Sequence, residues 1–236
     1  MSQIYELLNK NKGDTTHQSN ELKDSEAHEK QRESYLQIPA LEIDSHENTR
    51  QEFECLYKNL TLLGMKEIRS ILICGLSCDN NLLLSMSLAS TIARSEPLKI
   101  LVVDSNVDSP GLYKYEVGRR RPGFSDFLRE YQPVDQYVMP SSNPRLFGMK
   151  LGLMENGDRE RLNPLRVESA IKTLQSYYDM IILDGPPVIS ENCLPLAKSV
   201  DGVILVLRMG ILADLVKKAR STLDQIQTRV LGAILS

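Results

Sequence analysis

Five short runs in this chain are apolar almost from end to end: SILIC at Ser70–Cys74, KILVVD at Lys99–Asp104, DMIILD at Asp179–Asp184, GVILVL at Gly202–Leu207 and VLGAIL at Val230–Leu235. A strand with one face in water alternates apolar and polar residues, so a strand apolar throughout is covered on both faces. Helical patterns separate these runs. They cover Gln51–Leu63, Leu82–Ser95 (with Leu84, Leu88, Thr91 and Ile92 on one side), Asn163–Tyr178 and Leu212–Thr228. Strands alternating with helices predict an α/β fold of three layers, a mostly parallel sheet with helices on both faces. Right-handed crossovers are then expected. The chain has no internal repeat.

The first fifty residues differ in kind. Residues 1–48 hold ten acids and five bases, a net of −5, whereas the remainder holds 21 acids and 23 bases, a net of +2. The stretch 13–50 is polar, with too little apolar surface to fold alone. Two units are therefore expected: residues 1–50, a short helix and flexible polar linker, and residues 51–236, the folded domain. In the short helix, Ile4, Leu7 and Leu8 share one face, which suits docking on a partner or a frayed terminal helix equally well. Leu36–Ile43, LQIPALEI, is an apolar island within the linker.

Several function classes drop out. All three histidines, His17, His28 and His46, precede residue 50, so no histidine base or metal ligand serves the folded part. The four cysteines, Cys55, Cys74, Cys78 and Cys193, form no CxxC pair, which predicts neither zinc site nor disulfide and suits a reducing cytoplasm. Cys55 and Cys74 are expected as small buried hydrophobes. A net charge of −3 argues against nucleic-acid binding by the whole chain. No run of about 18 apolar residues predicts a membrane span, and the first residues have no apolar signal core.

In a parallel sheet, ligands bind beyond the carboxyl ends of the strands. Three such ends lead into GLSCDNNLLLSMSLA at Gly75–Ala89, VVDSNVDSPGLY at Val102–Tyr113 and YDMIILDGPPV at Tyr178–Val188. With GFSDFL at Gly123–Leu128, DGVILVLR at Asp201–Arg208, EFECLYKNL at Glu52–Leu60 and VLGAILS at Val230–Ser236, these segments resemble the bacterial tyrosine kinases of capsule and exopolysaccharide assembly. That family belongs to the MinD/ParA-like branch of P-loop ATPases. The resemblance runs in order from about residue 51 to residue 236.

The resemblance implies a nucleotide site, and the residues depart from it. The family's phosphate loop reads Pro-Gly-Glu-Gly-Lys-Ser/Thr; its amides cradle phosphate, its lysine reaches the β/γ-phosphates and its hydroxyl binds magnesium. Aligned without a gap, Ser77 stands for the proline, Cys78 and Asn80 for the glycines, Asp79 for the glutamate, Asn81 for the lysine and Leu82 for the hydroxyl residue. The family's Asp-x-Asp-x-Arg becomes Asp104, Asn106 and Asp108, and Asp184 matches the magnesium-side acid. Losing cation, hydroxyl and second acid together removes most of what phosphoryl transfer uses. The expectation is a pseudo-enzyme with no catalytic residues, remnants at Asp104, Asn106 and Asp184, no metal and no cofactor. Weak ATP–magnesium binding is the alternative. Asp104 and Asp184 also suit plain turn capping.

By the same resemblance the chain serves polysaccharide synthesis and export from the cytoplasm or the inner face of the membrane. Its partners would be a membrane polysaccharide co-polymerase or chain-length regulator, an active tyrosine kinase, or a synthase component. The competing readings are a slow or unconventional ATPase or tyrosine kinase, and a MinD/ParA-like positioning protein. The family's tyrosine-rich tail has no counterpart, since none of the nine tyrosines follows Tyr178. The family's Glu-x2-Arg-x2-Arg helix reads Glu52, Cys55 and Lys58, which puts the ring-type assembly in question. Arg119, Arg120 and Arg121 form a basic run suited to an anionic lipid, a carbohydrate phosphate or an acidic partner, or to a solvated loop.

Overall fold

The computed structural model describes residues 35–36, 53–59, 67–76, 81–118, 121–130, 132–152 and 162–235. In chain order the strands are β1 (Tyr35–Leu36), β2 (Ser70–Gly75), β3 (Ile100–Asp104), β4 (Glu116–Val117), β5 (Met139–Pro140), β6 (Leu146–Met149), β7 (Met180–Asp184), β8 (Gly202–Leu207) and β9 (Val230–Leu235). The helices are α1 (53–59), α2 (Leu82–Ser95), α3 (Phe124–Glu130), α4 (Pro164–Leu174), α5 (Cys193–Ser199) and α6 (Ala213–Gln225). Seven strands form one sheet in the order β5-β6-β3-β7-β2-β8-β9, parallel except for the short edge strand β5. All five apolar runs are strands of it, four of them buried and the fifth, β9, a half-buried edge strand, and α2 spans the residues expected.

The strand residues divide between two apolar clusters by alternation. Leu72, Cys74, Leu101, Val103, Ile181, Leu183, Val203 and Leu205 face one side with residues of α3, α4, α5 and α6. Ile71, Ile73, Ile100, Val102, Met180, Ile182, Ile204 and Val206 face the other with α2 and part of α1. Burial on both faces is what an apolar-throughout strand requires. Strand starts are fastened by acids. Asp201 Oδ2 accepts from the Arg69 and Ser70 amides (2.9 and 2.8 Å) and from the Ser70 hydroxyl (2.7 Å), tying β2 to β8. Asn163 caps α4 by accepting from the Leu165 amide at 2.9 Å, with Pro164 in the first turn.

Some details differ from the sequence reading. The helix expected over Asn163–Tyr178 ends at Leu174, and that over Leu212–Thr228 is trimmed to Ala213–Gln225. The buried stripe of α2 runs through Leu82, Ser85, Met86, Ala89 and Ala93 beside Leu88 and Ile92, leaving Leu84 and Thr91 half-buried. Small residues let α2 lie close to the sheet, and hydrophobicity alone pointed slightly to the wrong side. Cys55 is exposed, whereas Cys74 is buried. A hydrogen bond with the buried Cys193, together with desolvation, pushes the Cys74 thiol well above its usual value. Strands β5 and β6 and helices α3 and α5 were not anticipated, being too short to show a period.

A further difference lies inside the stretch read as polar linker. Tyr35 and Leu36 pair antiparallel with Val117 and Glu116. Leu36 is 1% exposed and belongs to the same cluster as Leu112, Leu146 and Ile71. Gly148 makes the space: a Cβ there would stand 2.7 Å from a Leu36 methyl. The apolar island thus begins with a core residue. The helix assigned to Ile4, Leu7 and Leu8 lies outside the described residues, as do Ser77–Asn80 and Arg119–Arg120. No described helix is long and apolar enough to cross a membrane.

Candidate functional site

The carboxyl ends of β2, β3 and β7 meet in one crevice, where a parallel sheet presents its ligand site. Asp104 and Asp184 close adjacent strands, and both are fully buried. The Ser105 amide and hydroxyl donate to the Asp184 carbonyl at 2.9 and 2.8 Å, locking the two strand ends together.

The two carboxylates have unequal surroundings. Asp104 accepts three backbone amides: Asn106 at 3.2 Å on Oδ1, and Gly111 and Leu112 at 2.7 and 2.8 Å on Oδ2. Burial raises its pKa and these donors oppose the rise. Among the described residues Asp184 has only the Ser85 hydroxyl, at 3.4 Å on Oδ1, while Oδ2 is buried with no partner among them. Burial first, then the charge of Asp104, pushes its carboxyl well above the usual range. The turn-capping reading fits Asp104, whose amide partners lie in the loop that it closes. It does not fit Asp184.

The remaining predicted positions gather here in part. Asn81 stands immediately before α2 and is 6% exposed; its Nδ2 is buried without a partner. Ser85 donates to the Asn81 carbonyl at 3.2 Å, the same hydroxyl that reaches Asp184. Asn106 is fully buried, accepts the Ser109 amide at 3.0 Å, and leaves its own Nδ2 unpaired. Three of the four orphaned buried polar atoms among the described residues are therefore Asn81 Nδ2, Asn106 Nδ2 and Asp184 Oδ2. Their partners in solution would be waters or a polar ligand.

Leu82, by contrast, is 1% exposed and packed in the core with Met86, Ile71 and Ile73. Asp108 accepts from Asn192 Nδ2 at 3.2 Å and is exposed. Arg121 is engaged within its own fold: its guanidinium donates to the Asp135 carbonyl at 2.5 Å and its amide to Glu116 at 2.9 Å. Among the described residues no group of three His, Cys, Asp or Glu side chains is placed to hold a metal ion.

A second concavity opens beside Asp104. It is a cleft of about 690 Å³ lined by Asp126, Arg129 and Glu130 of α3, Glu116 of β4, Asp104 at the end of β3, and loop residues before α3 and after β6. Its charged groups come from β3, β4, α3 and the loops beside them, so no single spacing in the sequence marks them as a cluster.

Comparison with known proteins follows the geometry. No family model matches the chain. It is 28% identical over 146 residues to the putative tyrosine-protein kinase EpsB of Ralstonia solanacearum, covering 62% of this chain but 18% of that protein's length. It is 22% identical over 205 residues to the tyrosine-protein kinase CpsD of Streptococcus agalactiae, covering 85% of this chain and 89% of that one. Among solved structures, the kinase domain of Escherichia coli tyrosine kinase ETK superposes with a TM-score of 0.75 at 23% identity, over 87% of this chain and 82% of that chain. The septum site-determining protein MinD of Pyrococcus horikoshii gives a TM-score of 0.57 at 18% identity, over 71% and 69% of the two chains. The fold is thus that of the P-loop ATPases related to MinD.

Proposed function

We propose that this relative of the bacterial tyrosine kinases works without phosphoryl transfer, as a regulatory or scaffolding partner in the assembly and export of an extracellular polysaccharide. The observation that carries the reading is the junction of β2 and α2. Where the resemblance to the tyrosine kinases implies a phosphate-binding lysine and a magnesium-binding hydroxyl, this chain has Asn81 and Leu82. Leu82 supports it most, because the side chain is a core residue rather than a group aimed into the crevice.

Magnesium ATP fits these residues poorly. Asn81 supplies a neutral amide in place of a cation, and the described crevice presents two carboxylates with no lysine or arginine among their bonded partners. A polyphosphate there meets uncompensated negative charge. The second acid of the motif is Asn106, which cannot serve as a base. No step of phosphoryl transfer is assigned to these residues.

The partners this reading calls for are a membrane polysaccharide co-polymerase, an active tyrosine kinase or a synthase component, met at the inner face of the membrane. Isothermal titration of the full chain with ATP and magnesium at millimolar concentration tests the premise. The expected result is no heat of binding. A dissociation constant in the micromolar range overturns the reading and restores a nucleotide-dependent enzyme.

A further inference from the structure

The apolar side chains left in solvent are not spread evenly. Four of the ten large ones exposed among the described residues, Met209, Leu212, Leu215 and Leu235, stand at one corner of the fold, where the carboxyl end of β8 runs into α6 beside the edge strand β9. Met209 is 87% exposed, Leu235 74% and Leu212 70%. Leu235 is the register partner of Leu207, two residues before Met209, so β9 brings it to the root of the same turn. Single apolar residues on a surface are ordinary, whereas a contiguous group marks a contact surface.

The turn projects from the fold. The Ile211 amide donates to the Arg208 carbonyl at 3.2 Å, and Gly210 sits at φ 84°, the conformation glycine takes in the third place of such a turn. A Cβ on Gly210 would have no atom within 4 Å, so the tip stands in open space. Directly behind it α6 begins, with Leu212 as its N-cap residue and Leu215 in its first turn. The positive end of the α6 dipole therefore lies beside the apolar tip.

Cations follow within the first turns of α6. From Arg208 to Asp224 the chain carries Arg208, Lys217, Lys218 and Arg220 against Asp214 and Asp224, an excess of +2 on a chain whose net charge is −3. That segment is continuous and described throughout. Lys217 and Arg220 lie 3.5 and 3.7 Å from Asp214 and Asp224, long and exposed pairs that contribute little. Lys218 is exposed and makes no ion pair among the described residues.

We infer that this corner inserts into the surface of an anionic lipid bilayer, with Met209, Leu212 and Leu235 entering the boundary of the acyl chains and Lys217 and Lys218 reaching the headgroups. A protein partner needs a surface of matched shape, whereas apolar side chains on a projecting turn enter a fluid layer without one. Lysine stems can lie along the apolar layer while the ammonium stays among the lipid phosphates. The contact gives the chain its own hold on the membrane, beside any protein partner. It does not depend on whether the crevice at Asn81 takes nucleotide.

The test is cosedimentation of the full chain with vesicles of phosphatidylglycerol and phosphatidylcholine in equal parts, beside vesicles of phosphatidylcholine alone. Binding to the anionic vesicles is expected to be roughly 10-fold the stronger, and to weaken as salt is raised. Met209→Ser with Leu212→Ser is expected to weaken it by roughly 10-fold or more, through lost apolar burial. Lys217→Gln with Lys218→Gln is expected to weaken binding to the anionic vesicles alone, by roughly 10- to 30-fold. All four side chains are exposed, so both double variants should melt with the parent by circular dichroism. Absence of binding to anionic vesicles overturns the inference, as does equal binding to the two kinds of vesicle. Binding that neither double variant weakens overturns it too, by placing the contact elsewhere in the chain. So does self-association in sedimentation velocity without lipid that Met209→Ser with Leu212→Ser abolishes, since the corner is then an interface between copies.

Discussion

Asp104 and Asp184 are Cα partners in register across the β3–β7 ladder, and neither carboxylate has any exposed surface. Two acids so placed repel when both are ionised, and only one has amide donors to hold its charge. A cation between them would relieve the strain, and no described side chain provides one by hydrogen bond or ion pair.

Stability should therefore depend on pH in a defined direction. Both carboxyls have raised pKa values in the folded chain. The stability they confer is complete below the unfolded value of about 4 and is lost as pH rises through the folded values. Asp184→Asn removes the less well supported charge. The variant should melt higher than the parent at about pH 7.5, by roughly 2–4 °C for each kcal/mol recovered. Its melting temperature should also vary less between about pH 5 and about pH 8. A variant that melts lower at neutral pH shows that the Asp184 charge is stabilising.

The anchoring of the N-terminal stretch can be measured at one side chain. Leu36→Ala should cost about 2–3 kcal/mol in urea unfolding, the lower part of the range for a buried leucine. Because β1 pairs with β4, directly after the turn carrying Gly111 and Leu112, hydrogen exchange of those two amides should also quicken. Unchanged stability together with unchanged exchange would show that Leu36 is not docked in solution.

Repair of the phosphate loop should succeed only in part. The variant Cys78→Gly, Asn80→Gly, Asn81→Lys, Leu82→Ser and Asn106→Asp restores the residue types of the relatives. Measurable nucleotide binding is expected, because the α2 N-terminus still meets the ends of β3 and β7. Leu82→Ser empties a core position and should lower stability by about 2–4 kcal/mol, which circular dichroism would report. A folded variant that binds nucleotide no better than the parent removes Asp104 and Asp184 from consideration as remnants of a metal site.

Gly123 is required for close packing. A Cβ there would press into the Gly152 amide and the Lys150 carbonyl, both backbone atoms that cannot turn aside. Gly123→Ala should destabilise by about 2 kcal/mol or more and widen the cleft beside Asp104. A neutral effect on thermal unfolding would mean that the two loops do not abut as described.

Much of the architecture was legible because burial on both faces leaves a plain mark. GVILVL contains no polar residue and is buried as β8 with the bounds expected; VLGAIL also became a strand with the bounds expected, but as edge strand β9 it is only half-buried. Asp104 and Asp184 were found because they end such runs. What escaped notice had no such mark. Leu36 stood out only as the start of an apolar island in a polar stretch, and only the notch at Gly148, more than a hundred residues away, makes it a core residue. The Glu116–Lys150 pair joins β4 to the end of β6, 34 residues apart in sequence. Its members are ordinary surface residue types, and nothing in the sequence marks them as buried.

The strand order also sets when the protein can fold. β2 and β3 follow one another in sequence but are not neighbours, because β7 lies between them. Ser70 on β2 pairs with Ile181, and Ile100 on β3 pairs with Met180. While the first half of the chain leaves the ribosome, β2 therefore has no partner strand. It is a fully apolar segment waiting for a sequence more than a hundred residues downstream. Such long-range closure is slow and leaves sticky intermediates. The chain should therefore depend on chaperones during synthesis far more than a helical bundle of the same length.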